Sequence, residues 1–130
     1  MAAPLHMRTP LGRVLGRGAA KSGTEHFWHQ RLTAMANIPL TIGFVVVVAS
    51  LMGRNHAAVV QILGSPFVAV LMLLFILSAT IHMRIGMQVI IEDYVHDDFA
   101  KFTLLIANAF FAIVVALTSA FAILKLSFGV

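Results

Sequence analysis

Three apolar stretches, each about 20 residues or longer, shape everything this chain can become: roughly Leu32 to Met52, Pro66 to Ile91 and Phe102 to Leu124. At 1.5 Å per residue, a helix of about 20 residues crosses the ~30 Å hydrocarbon core of a bilayer. Lipid offers the backbone no hydrogen-bond partner, so such stretches cross as helices that satisfy their own amides. The predicted fold is therefore all-α, an integral membrane bundle of three transmembrane helices. Residues 1–31 read as a basic cytoplasmic N-terminal arm and residues 32–126 as the three-helix domain. Charge supports this reading. Only 11% of the residues are charged, against about 25% where water must wet the surface.

The same composition removes several function classes. With no cysteine, the chain has no thiolate zinc site and no cysteine-ligated iron–sulfur cluster. Its net charge of +4 is local rather than spread in a basic stripe interleaved with aromatics, so nucleic acid is set aside. The local excess is a topology signal. Arg8, Arg13, Arg17, Lys21 and Arg31 precede the first span and Lys101 follows the second, while the opposite side carries only Arg54 and Lys125. The positive-inside rule then puts the N-terminus and the connector from Glu92 to Lys101 in the cytoplasm. The leader has no acid before Glu25 and no continuous apolar core. It is therefore expected to be no secretory signal, but a retained arm lying on the membrane or on a partner. Its lack of acids also resembles a mitochondrial transit peptide, which keeps the mitochondrial inner membrane as the alternative to a bacterial inner membrane.

Pro39 sits a third of the way into the first span, where packed membrane helices tolerate it. Gly53-Arg54-Asn55-His56 marks a turn, and the short apolar run from Ala57 to Leu63 suits a surface-lying piece. Pro66 suits the first turn of the second span. In the third span, the small residues Ala107, Ala109, Ala112, Ala116 and Ala120 suggest helix–helix contact.

Two titratable residues lie inside the second span, His82 and Arg84. A charged group at mid-bilayer costs at least ~2.5–3.5 kcal/mol, so each marks a site or a partner contact. On the helix alone, His82 fits a ligand role and a hydrogen bond to a neighbouring helix equally. Arg84 fits packing or snorkelling toward an acid or a lipid headgroup. Gly86, Val89 and Asp93 fall within roughly 40° of His82 at 100° per residue, forming one stripe that excludes Arg84. Gly86 would clear space for a flat macrocycle beside the histidine, or would simply permit close helix packing. At the cytoplasmic end stands Tyr94, by default an interfacial belt residue. His26, His29 and Arg31 approach the first span from the same side, so these polar groups are expected to gather with Tyr94 where a polar-headed, lipid-soluble ligand docks.

The run His82-Met83-Arg84-Ile85-Gly86-Met87-Gln88-Val89-Ile90-Ile91-Glu92-Asp93-Tyr94 resembles the signature of the succinate dehydrogenase hydrophobic membrane anchor family, the smaller, D-type anchor. That family shows a histidine, a glycine four residues on, and Asp-Tyr at the end of the second of three helices. Arg31-Leu32-Thr33-Ala34 also resembles its entry into the first helix. The resemblance implies that His82 is an axial ligand of haem b, with a companion cytochrome b anchor subunit supplying the other ligand. It implies that Tyr94 hydrogen-bonds a quinone carbonyl, that Asp93 supports that region, and that Arg31 lies near quinone and haem propionates. Gly86 is the glycine of the same motif. His26 and His29 have no counterpart in it.

The implied protein is a subunit of succinate:ubiquinone oxidoreductase, respiratory complex II, linking the tricarboxylic acid cycle to the respiratory chain. A flavoprotein partner oxidises succinate and an iron–sulfur partner carries electrons to ubiquinone. The anchor holds both on the membrane lipid and is expected to catalyse nothing alone, having no flavin- or cluster-binding residues. Rival readings are the anchor of a quinol:fumarate reductase and, from another class, a haem-free small transporter or structural anchor. A transporter generally carries internal repeats or paired broken helices, and only Pro39 hints at one.

Overall fold

A computed structural model describes Thr9, Leu11 and residues 22–129 of the chain. Arg8, Arg13, Arg17 and Lys21, on which much of the charge asymmetry rests, lie outside the described residues. Among the described residues four helices are bounded, in order α1 (Ser22–Leu51), α2 (His56–Gly64), α3 (Pro66–Tyr94) and α4 (Asp98–Phe128). Three of them, α1 from Thr24, α3 and α4, are long and apolar enough to cross a membrane. The chain is thus an all-α membrane protein, and no strand occurs among the described residues.

The helix boundaries follow local chemistry. Asn55 caps α2 through its side chain, which accepts from the Ala58 amide at 2.9 Å. Asp97 does the same for α4, accepting from the Ala100 amide at 2.8 Å. Each satisfies an amide that the first turn leaves without an intrahelical partner. Pro66 stands in the first turn of α3, where its missing N–H costs nothing. The turn between α1 and α2 needs Gly53 at φ +73°, a backbone region that side chains disfavour. The short apolar run after His56 is the helix α2.

The expected spans differ from the helices chiefly at the start. α1 begins at Ser22, ten residues before Leu32, so the stretch carrying His26, His29, Gln30 and Arg31 is helix rather than arm. α3 runs through Tyr94 and α4 extends to Phe128, the ends of each emerging beyond the apolar core. The 29 residues of α3 measure about 43 Å, more than the ~30 Å hydrocarbon thickness.

α3 is the central helix, packed antiparallel on α1 and on α4. The tightest core lies toward the α1–α2 turn, where Val47, Ala69, Met72 and Ile123 are buried against Phe44, Leu63, Leu71 and Ile76. Phe44 and Phe75 stack there at 4.6 Å. Ala112, 5% exposed, and Ala116 share an α3–α4 groove with Leu77 and Thr80; here the small residues meet α3 as the alanine pattern predicts. Few side chains are buried, and large apolar groups such as Leu77, Phe110 and Val114 face outward, as suits a lipid or protein environment rather than water.

Close approach of backbones makes one position sensitive. A Cβ added at Gly64 would lie 2.8 Å from the Leu126 carbonyl oxygen, so α2 and α4 would have to separate. Gly64→Ala should destabilise the fold by about 1–3 kcal/mol, read as a lower thermal midpoint in detergent; an unchanged midpoint would show that α2 does not dock tightly on α4.

Candidate functional site

The half of the molecule away from that core holds the polar groups. Along α1, His26, Gln30, Thr33 and Asn37 recur at spacings of four, three and four residues, which puts them on one face. Along α3, Ser78, His82, Gly86 and Val89 share a face likewise, at spacings of four, four and three. The two stripes meet. Thr33 Oγ1 lies 3.2 Å from His82 Nδ1, Ser78 Oγ donates to the Thr33 carbonyl at 3.4 Å, and a Cβ on Gly86 would sit 3.6 Å from Gln30 Nε2. The stripe centred on His82 therefore faces α1, and Gly86 stands against Gln30.

The hydrogen bonding around Thr33 selects a form of His82. The Thr33 hydroxyl has one proton, and it donates to the His29 carbonyl at 2.7 Å; the Gln30 carbonyl is farther, at 3.2 Å. A carbonyl can only accept. Toward His82 the same oxygen is then the acceptor, and Nδ1–H is the donor. In a neutral ring that leaves the lone pair on Nε2, the form in which a histidine binds a metal. His82 itself is half-buried.

Whether these residues fit a haem is a question of donor number. Among the described residues no three His, Cys, Asp or Glu side chains converge on a common point, so no protein-only ion cage is formed. An axial haem ligand requires a single imidazole with a free nitrogen, which His82 provides. Two acceptors of the α1 stripe, Gln30 Oε1 and Asn37 Oδ1, are buried without a donor; each costs about 1–3 kcal/mol if left so. His82 fits the group as a ligand, whereas the two orphan acceptors do not bear on it, since ionised propionates also only accept.

The remaining candidates fall in two grooves and one helix end. His26, Phe27, Gln30, Arg31, Ile85 and Val89 line an open groove of about 360 Å³, with the Arg31 guanidinium 5.1 Å over the Phe27 ring. His26, His29, Arg84 and Gln88 line an adjoining one of about 310 Å³. Arg84 is exposed, and its backbone carbonyl accepts from Asn108 Nδ2 at 2.9 Å. Tyr94 lines neither groove. It is 78% exposed at the end of α3, with Asp93 exposed beside it.

The expected gathering is thus only partial: the structure brings His26 to Arg31 and to His29, and keeps Tyr94 apart. The reason is the early start of α1. Arg31 lies well inside the helix, level with Ile85, about nine residues or ~13 Å below Tyr94. Thr33, Gln30 and Asn37 are uncharged, so they do not stand out in the sequence as His82 and Arg84 do. The available signal was their helical spacing in an otherwise apolar stretch.

Residues 6–122 match the family described as succinate dehydrogenase/fumarate reductase transmembrane subunit. The succinate dehydrogenase hydrophobic membrane anchor subunit of Paracoccus denitrificans is 29% identical over 121 residues, 93% of each chain. That of Rickettsia conorii is 30% identical over 75% of this chain and 78% of its own. The succinate dehydrogenase membrane anchor subunit of Reclinomonas americana is 37% identical over 60% of this chain and 68% of its own.

Proposed function

The chain belongs to the succinate dehydrogenase/fumarate reductase transmembrane subunit family, as a membrane anchor subunit of succinate dehydrogenase, and we propose that it ligates haem b through His82 and helps form the quinone site through Tyr94. One observation carries the haem reading: Thr33 holds Nδ1 of the only histidine deep within α3, leaving Nε2 for iron. A companion cytochrome b anchor subunit would supply the other ligand of the haem and cover part of the outward apolar surface. The family membership sets aside the small-transporter reading.

Haem b, when bound, can hold one electron close to the quinone. The chain's own residues do the rest. His82 presents one nitrogen and is oriented through the other. Gly86 keeps bulk away from the histidine stripe, and a Cβ there would meet Gln30 of α1 at ordinary contact distance, 3.6 Å. Tyr94 has a hydroxyl with no partner among the described residues and donates it to a ubiquinone carbonyl. Ubiquinone takes two electrons, delivered from succinate through the flavoprotein and iron–sulfur subunits, and two protons to become the quinol. Asp93 supports that end of α3. Arg31 offers a fixed cation farther into the membrane, toward quinone or haem propionates. The test of the haem reading is a reduced-minus-oxidised absorption spectrum of the purified complex, which should show a low-spin b-type haem. A haem-free complex with full quinone reductase activity would leave a structural anchor.

The Lys and Arg bias supports a cytoplasmic N-terminus and α3–α4 connector, in the reading of a bacterial inner membrane, with the mitochondrial inner membrane as the alternative. Three crossings then put the end of α4 in the periplasm. Alkaline phosphatase fused after α4 should be active and green fluorescent protein dark; the reverse pattern would refute the orientation or the number of crossings.

A further inference from the structure

We propose that Thr33 is a positioning residue for the haem, setting the tautomer, ring orientation and donor strength of His82 from the neighbouring helix. The inference rests on His82 being the ligand and assigns a role to a residue outside the histidine-to-tyrosine motif. Thr33 is only 9% exposed, so its hydroxyl cannot trade His82 for solvent. Its oxygen touches three groups: the His29 carbonyl at 2.7 Å, the Gln30 carbonyl at 3.2 Å and His82 Nδ1 at 3.2 Å. The proton goes to the shortest contact, a carbonyl, and the lone pairs face Nδ1–H. A hydroxyl that is already donating is a better acceptor, because successive hydrogen bonds polarise one another.

The support is built into both helices. Thr33 is β-branched, which restricts its side-chain rotation, and its backbone carbonyl accepts from Ser78 Oγ at 3.4 Å, one turn before His82. The contact is therefore anchored at the level of the ring. Metal-bound histidines are oriented and made more basic by the acceptor on their other nitrogen, and losing that acceptor weakens metal binding roughly 10- to 100-fold. Greater basicity favours ferric over ferrous iron, so Thr33 should hold the haem potential down.

The test uses the whole complex, purified through a tag on this chain, with Thr33→Val, Thr33→Ser and His82→Ala compared. Haem per flavin, the haem midpoint potential and the low-spin electron paramagnetic resonance signal are read. Thr33→Val keeps the β-branch and removes the acceptor. It should lower haem affinity roughly 10-fold or more, move the midpoint upward and shift the resonance, whereas Thr33→Ser should restore all three toward wild type. Should Thr33→Val fail to assemble, Thr33→Ala removes the same oxygen without adding a group and is judged on the same readouts. Wild-type occupancy, potential and resonance in the valine or alanine variant would overturn the proposal. A serine variant that behaves like valine would do so too, by making the effect one of packing. If His82→Ala keeps the wild-type spectrum, the ligand assignment itself falls; if it loses the haem while Thr33→Val is silent, only the role of Thr33 falls.

Discussion

His82→Ala should lose haem b while the chain still inserts and the complex still forms. On the proposed ligation, imidazole is this chain's iron ligand, and its loss would leave iron with the companion's ligand alone. Even the hydrogen-bond acceptor behind a metal-bound histidine is worth roughly 10- to 100-fold in metal affinity, so removing the ligand itself should lower occupancy by more than that. Insertion should survive, because alanine is cheaper in lipid than histidine, and the main core around Val47, Met72 and Ile123 lies elsewhere. Thr33 would lose one contact but keep its bond to the His29 carbonyl. The measurement is haem per flavin together with the reduced-minus-oxidised spectrum. A low-spin spectrum at full occupancy would exclude His82 as the ligand and return it to a packing role against α1.

Tyr94→Phe should slow ubiquinone reduction, roughly tenfold or more, without removing the haem. Tyr94 is twelve residues past His82, about 18 Å along the helix, too far to touch the iron but level with the membrane rim. A phenol donates to a carbonyl that gains negative charge as it is reduced, and an enclosed donor of this kind is worth ~10²–10³ in rate. With Tyr94 78% exposed in this chain, the enclosing surface must come from partner subunits, and the lower figure follows. Phenylalanine keeps the ring, so the change isolates the hydroxyl. Succinate oxidation by an artificial acceptor that bypasses the membrane site serves as the control and should be unaltered. Equal wild-type rates in both assays would make Tyr94 an interfacial belt residue. The quinone head would then be sought lower, along the groove of Arg31 and His26.

The separation of Tyr94 from Arg31 marks where sequence and tertiary structure part. The family was legible from its resemblance in the His82-to-Tyr94 motif. Span count and all-α class were legible without coordinates, because each depends on composition over a local window: an apolar stretch of bilayer length is a helix whatever it packs against. Caps at Asn55 and Asp97 and the proline start at Pro66 are local for the same reason. The His82–Tyr94 spacing was legible as well, since both residues ride on one continuous helix. Local pattern could not supply the register of α1 against α3. Lipid is as apolar as the side chains, so helices there find their register through close packing and hydrogen bonds between particular residues. That register pairs Thr33 with His82, stands Gly86 against Gln30, and leaves Arg31 two turns below the tyrosine. It is decided by contacts between residues some fifty positions apart in the chain, and only the folded structure brings them together.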